Sequence, residues 1–173
     1  LPITSANGWG RETFALTIAL QNLIWGAVQP ITGALADRYG ALKMMVAGGV
    51  LYALGLVGMA VSTDALSFTF AGGLLIGLAQ TATTYSVVYG ILARNVTPEK
   101  RVWAMGVTAA AGSFGQFLMI PVEQGLLSNF GANDALLILA LMASLMIPIA
   151  LMLREPNAVN MQQGSNQTIK EAL

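Results

Sequence analysis

Few side chains in this 173-residue sequence could do chemistry, and those that could sit in unusual surroundings. Histidine and cysteine are both absent, which removes the usual zinc and haem ligands, thiol nucleophiles and any disulfide framework. No two acids meet at one depth for acid–base work, so neither an enzyme nor a cofactor or metal is expected. What the sequence offers instead is amides and hydroxyls inside long uncharged stretches. Gln80, Thr84 and the neighbourhood of Val88 recur every four residues, and Tyr85 and Tyr89 form an adjoining strip, so each set shares a helical face. Asn22 and Gln116 sit in two other uncharged stretches. Such groups are costly at membrane depth unless they face protein or a wet cavity. Asn22, Gln80, Thr84, Tyr85, Tyr89 and Gln116 are therefore candidates to line a cavity for a small polar solute. The alternative for each is a hydrogen bond between helices, at about 0.6 kcal/mol in a membrane. The titratable group nearest a span interior is Glu123, beside Pro121; it is either a proton site or a solvated interfacial carboxylate.

The elements that must position these groups follow from the charge pattern. Hydrophobic residues make up 55% of the chain and charged ones only 9%, against about 25% charged in soluble domains, and the mean hydropathy is +0.68. The eight basic and eight acidic residues cancel, so no overall field points to nucleic acid. Residues 13–36, 44–63, 65–93, 102–122 and 135–153 carry no charge at all. A helix crosses the roughly 30 Å hydrocarbon core in about 20 apolar residues. The expected fold is an all-α, polytopic transmembrane helix bundle within 13–155, with helices at about 13–36, 44–63, 67–93, 102–122 and 135–153. Residues 1–12 are expected outside, and the Asn-, Gln- and Ser-rich 156–173 as a cytoplasmic linker.

Orientation follows from the basic residues. Arg38, Lys43, Arg94, Lys100, Arg101, Arg154 and Lys170 fall on one side, and Arg11 alone on the other. The N-terminus is then outside and the C-terminus cytoplasmic. The expected location is a bacterial inner (plasma) membrane.

Polar content separates the spans. The first, third and fourth carry amides and hydroxyls and should face inward; the second and fifth are bland and should face lipid. The order polar, bland, polar, polar, bland fits a three-span unit repeated once without its first member. Spans one and four would be counterparts, with Gln29 and Pro30 in one and Gln116 and Pro121 in the other. Small residues at helical spacing (Gly55 and Gly58, Gly73 and Gly77, Gly112 and Gly115) read as packing faces.

Between spans one and two runs Gly33-Ala34-Leu35-Ala36-Asp37-Arg38-Tyr39-Gly40-Ala41-Leu42-Lys43, which reads as a short cytoplasmic turn. Gly33 would let the helix end lie close to a neighbour, and Gly40 would reverse the chain. The order Gly-x-Leu-Ala-Asp-Arg-x-Gly resembles the signature loop of the major facilitator superfamily, between its second and third helices. Gly8-Trp9-Gly10-Arg11 resembles the outer loop before helix two in the monocarboxylate and oxalate/formate-like branch. Arg101-x-x-x-Met105-Gly106 and Ala111-Gly112-Ser113-Phe114-Gly115 are similar to that branch's fifth helix. Where the family has basic residues after the second glycine, this chain has Ala41 and Leu42, and the positive charge comes at Lys43.

The resemblance implies a partial major-facilitator fold, helices two to six of an N-terminal half. It implies a secondary transporter of a small solute, an organic anion of monocarboxylate type, working by alternating access. The partners would be the solute, membrane lipid and the missing transporter half. Gly33, Asp37, Arg38, Gly40 and Lys43, with Arg94, would form the gating loop, and Asp37 would be its central acceptor. Two rival readings are a non-transporting membrane scaffold or receptor subunit, and a half-size transporter acting as a dimer.

Overall fold

The computed structural model describes residues 7–152, together with the backbone but not the side chain of Arg94. The expected outer residues 1–6, Arg154, Lys170 and the linker 156–173 lie outside the described residues. In lipid the backbone must satisfy itself, so apolar runs of this length fold as helices. Four helices, Arg11–Tyr39, Ala41–Ala60, Ala65–Ala93 and Pro98–Met152, are long and apolar enough to cross a membrane.

Helix α1 spans Arg11–Tyr39 and α2 spans Ala41–Ala60. The turn expected over 37–43 shrinks to one residue. Gly40 takes φ +97° and ψ 136°, and its N–H donates to the Ala36 carbonyl at 3.0 Å. Only glycine occupies that backbone region without steric cost, so helix runs right up to the reversal on both sides. Asp37 and Arg38 therefore stand on the last turn of α1, and Lys43 on the first turn of α2.

The third span departs from a continuous helix over 67–93. It begins with α3 (Ala65–Thr69), passes through a π-helical segment at Phe70–Leu75, and continues as α4 (Ile76–Thr83). It then breaks at Thr84, which is extended at φ −74° and ψ 166°, and resumes as α5 (Tyr85–Asn95). The run Thr81, Thr83, Thr84 favours the break, because hydroxyls compete for backbone carbonyls. Thr81 Oγ1 donates to Leu78 O at 2.7 Å, Thr83 Oγ1 to Ala79 O at 3.1 Å, and Thr84 Oγ1 to Thr81 O at 3.4 Å.

The last element, α6 (Pro98–Ser144), runs on into α7 (Met146–Met152). At roughly 1.5 Å per residue its 55 residues would measure about 80 Å, far more than one bilayer crossing. It is two arms joined at Gly131, which is non-helical at φ +77° and ψ 178°. The expected connector 123–134 is thus helical apart from that glycine. Helix also begins at Pro98, ahead of the expected 102, because Thr97 and Pro98 supply an N-cap position and a first-turn proline.

Packing runs through α2. A Cβ at Gly48 would lie 2.9 Å from Ala82 Cβ and 3.1 Å from Ala79 O, and one at Gly58 would lie 2.9 Å from Ala71 Cβ. Leu56, Ala60 and Ile76 form a core with Leu136 and Ala140 of the second arm of α6. Exposed Val50, Leu54 and Val57 leave α2 a lipid-type stripe on its other side. So the second span faces lipid along one stripe only, and its glycine face is central. The first span is less enclosed than expected, with Leu16, Leu23 and Ile31 exposed. It is tied to the third by Thr17 Oγ1–Thr69 Oγ1 at 3.1 Å and Thr32 Oγ1→Thr81 Oγ1 at 2.8 Å.

Candidate functional site

A cavity of about 510 Å³ opens between α1, the break in the third span, and the first arm of α6. Its wall comprises Gln21, Asn22 and Trp25 of α1, Gln80 and Thr83 of α4, Thr84 at the break, Tyr85 and Val88 of α5, and Thr108, Gly112 and Gln116 of α6. Five of the six residues singled out from the sequence, Asn22, Gln80, Thr84, Tyr85 and Gln116, lie on it. The sixth, Tyr89, is off the wall but stacks on Tyr85, with ring centroids 5.6 Å apart and planes at 28°.

Gln21, Trp25, Thr83, Val88, Thr108 and Gly112 were not among those six. Part of the signal was present in the sequence: Thr108, Gly112 and Gln116 recur every four residues, as do Gln21 and Trp25. Gln29, the supposed counterpart of Gln116, does not line the cavity.

The break explains how irregular backbone is tolerated at this depth, since non-helical segments occur within membranes where they border protein or a wet cavity. The Thr84 carbonyl accepts the Val87 and Val88 N–H groups at 3.2 and 3.3 Å, and its hydroxyl lies 2.8 Å from Ser86 Oγ. Asn22 Nδ2 turns back to Ile18 O at 2.8 Å, which leaves its second amide hydrogen and its carbonyl oxygen for a guest. No described residue on the wall is charged. The described residues of the cavity can therefore offer a solute an array of neutral donors and acceptors with aromatic sides.

A second cavity of about 450 Å³ lies between α1, α2 and both arms of α6. Glu123 faces it together with Gln21, Tyr52 and Gln124, among apolar side chains. Gln21 lines both cavities.

At the end of the bundle that holds the Gly40 turn, Gly33, Ala36, Asp37 and Ala41 border a small cavity of about 190 Å³ with Ser86, Val87 and Gly90 of α5. Ala36 and Ala41 pack there against Val87 and Ile91. The expected close approach at Gly33 is absent: a Cβ there would meet nothing within 4 Å. The Arg38 guanidinium lies 5.3 Å from the centre of the Tyr39 ring, a cation–π contact, and Lys43 is exposed. The Arg94 side chain lies outside the described residues. No cluster of metal-binding side chains occurs among the described residues.

At the opposite end Asp64 caps α3. It accepts the Ser67 N–H at 2.8 Å, the Ser67 hydroxyl at 3.0 Å and the Leu66 N–H at 3.0 Å. These bonds, the Ser67 N–H foremost, hold its carboxyl below the usual carboxylate range.

Comparison with known proteins places this arrangement in a family. The family model described as Major Facilitator Superfamily matches residues 1–171, and the chain belongs to that superfamily. It is 34% identical over 140 residues to monocarboxylate transporter 11 of Mus musculus, covering 81% of this chain and 30% of the relative. It is 35% identical over 125 residues to the Homo sapiens protein of that name, covering 72% and 25%. It is 28% identical over 176 residues to the oxalate:formate antiporter of Oxalobacter formigenes, covering 97% and 39%. The chain thus spans about a quarter to two-fifths of the length of these relatives. No solved structure matches it. These relatives are named as transporters, not enzymes, and with the apolar helices they make this an integral membrane protein.

Proposed function

We propose that this chain is part of a secondary transporter that moves a small organic anion of monocarboxylate type by alternating access. The observation that carries the proposal is the cavity of about 510 Å³ at the meeting of three spans. Its size falls in the range of about 300–1,000 Å³ usual for small-molecule sites. Its amides and hydroxyls can take over the hydrogen bonds that a carboxylate loses on leaving water. The relatives' printed names, monocarboxylate transporter and oxalate:formate antiporter, support the solute class.

The described residues of the wall include no cation, so in this reading the anion's charge partner comes from elsewhere in the transporter. The same reading makes the chain a fragment, without the first helix and the C-terminal half of the complete transporter. One observation favours it. Among the described residues α1 and α6 border two cavities together, yet no pair of their Cα atoms comes within 8 Å. The two helices thus meet across these cavities and not by direct packing.

In the gate, Asp37 is the central acceptor, with Arg38, Lys43 and Arg94 on the cytoplasmic side. The small cavity that Asp37 shares with α5 supports this role, because it couples the signature residues to the segment beyond the break. Glu123 is the proton site of the reading, reached from the main cavity by way of Gln21.

The test is uptake of labelled formate, oxalate and a three-carbon monocarboxylate by liposomes holding the intact gene product. Counterflow of at least one of these is expected. Absence of uptake for all three, in protein shown to be folded and inserted, would leave the scaffold reading in its place.

A further inference from the structure

Resting on the transport reading above, we infer that Gly112 sets the size of solute the cavity accepts, by giving the Tyr85 ring a notch in α6. Tyr85 begins α5 and is carried by the break at Thr84 to the seam facing the first arm of α6. Its hydroxyl occupies the place where a side chain at position 112 would stand. A Cβ built on Gly112 overlaps that hydroxyl and lies 3.0 Å from Tyr85 Cζ and 3.3 Å from Cε1. The neighbouring glycines of the same arm, Gly106 and Gly115, would meet nothing within 4 Å, so the notch is particular to Gly112.

Two directions are closed to the ring: the α6 backbone stands ahead of it, and Tyr89 is stacked on one side at 5.6 Å. Its exposed side opens on the cavity that Tyr85 already lines. A methyl group at position 112 therefore turns the phenol into the space a solute would use, and the largest solutes are excluded first. Gly112 does not itself recognise the solute. It is a positioning residue acting through Tyr85.

Two measurements test this in the intact gene product. Both compare the parent with Gly112→Ala, Gly115→Ala, Tyr85→Phe and the pair Gly112→Ala/Tyr85→Phe. The first uses no solute. The 173 residues contain no cysteine, so Thr108→Cys provides a single reporter on the cavity wall once any cysteine elsewhere is replaced. Its labelling by a water-soluble maleimide should fall severalfold in Gly112→Ala and stay at the parent rate in Gly115→Ala. It should recover in the pair, because removing the hydroxyl relieves the overlap and leaves the lesser close approaches to Cζ and Cε1.

The second measurement is uptake. Gly112→Ala should raise KM for a three-carbon monocarboxylate relative to that for formate by roughly tenfold or more. In the pair that ratio should return to the value for Tyr85→Phe alone. The inference is overturned if Gly112→Ala labels and transports like Gly115→Ala, or if its defect persists in the Tyr85→Phe background. If the parent carries none of the solutes, the transport reading fails while the labelling series still decides the notch.

Discussion

Gly48 offers a sharp test of what holds the bundle together. Alanine at this position adds a Cβ 2.8 Å from Thr83 Cγ2, 2.9 Å from Ala82 Cβ and 3.1 Å from the Ala79 carbonyl oxygen. Favourable contacts between carbon atoms lie at about 3.5–4.0 Å. The Thr83 methyl can rotate away, but Ala82 Cβ and the Ala79 carbonyl are fixed to α4, so α2 and α4 must move apart. Overpacking of this kind costs about 1–3 kcal/mol. Against it stands a gain of about 1 kcal/mol from replacing a mid-helix glycine by alanine. Gly48→Ala should therefore fall between neutral and about 2 kcal/mol less stable than the parent. Gly26→Ala is the control: a Cβ there meets nothing within 4 Å, so only the propensity gain remains. The gap between the two variants is the overpacking cost itself, a factor of roughly 5 to 150 in the unfolding equilibrium. Titration of the detergent-purified gene product with sodium dodecyl sulfate, followed by far-ultraviolet circular dichroism, measures that gap. Equal midpoints for the two variants would refute the close approach of α2 to α4.

The remaining predictions address the proposed gate, the cavity and the Asp64 cap. Asp37→Asn should reduce uptake at least tenfold while leaving membrane insertion intact; unchanged uptake would remove the gate role from Asp37. A cysteine replacing Thr84, on the cavity wall, should react with water-soluble thiol reagents, whereas one replacing Ser144 should not, and the reverse pattern would contradict the inward assignment of the third span. At Asp64 the folded-state carboxyl titrates below its ordinary value of about 3.9, so its contribution is present above that pH and is lost as pH falls through the lowered value. Protection of the Leu66 and Ser67 amides, measured against the intrinsic exchange rate at each pH, should fall in that acid window, and in Asp64→Asn, which keeps a capping oxygen, that fall should disappear.

The helical bundle was legible in the sequence because charge is expelled from hydrocarbon. Uncharged runs of about 20 residues between clusters of Lys, Arg, Asp and Glu admit few other folds. Much of the cavity wall was legible for a related reason: an amide or hydroxyl such as Gln80, Thr84 or Gln116 must face something other than lipid, and helical spacing says which of them share a face. The reversal at Gly40 was legible from its charged flanks, but not that it takes a single residue. Nor did the polar run 123–134 show that it is helical apart from Gly131, because one glycine at positive φ can turn the chain without unwinding the helix on either side.

What the sequence by itself determined is an α-helical membrane protein with a polar interior and a signature segment at 33–43. The physical reason is that desolvation acts on each residue locally, whatever its neighbours in space. Only the tertiary structure decided that the third span breaks at Thr84, and that Gln21, Trp25 and Thr108 join the cavity wall. It also decided that Tyr85 seats against Gly112. These depend on which helices approach and how closely, and that is set by the fit of glycines against carbonyls and methyl groups between segments distant in sequence.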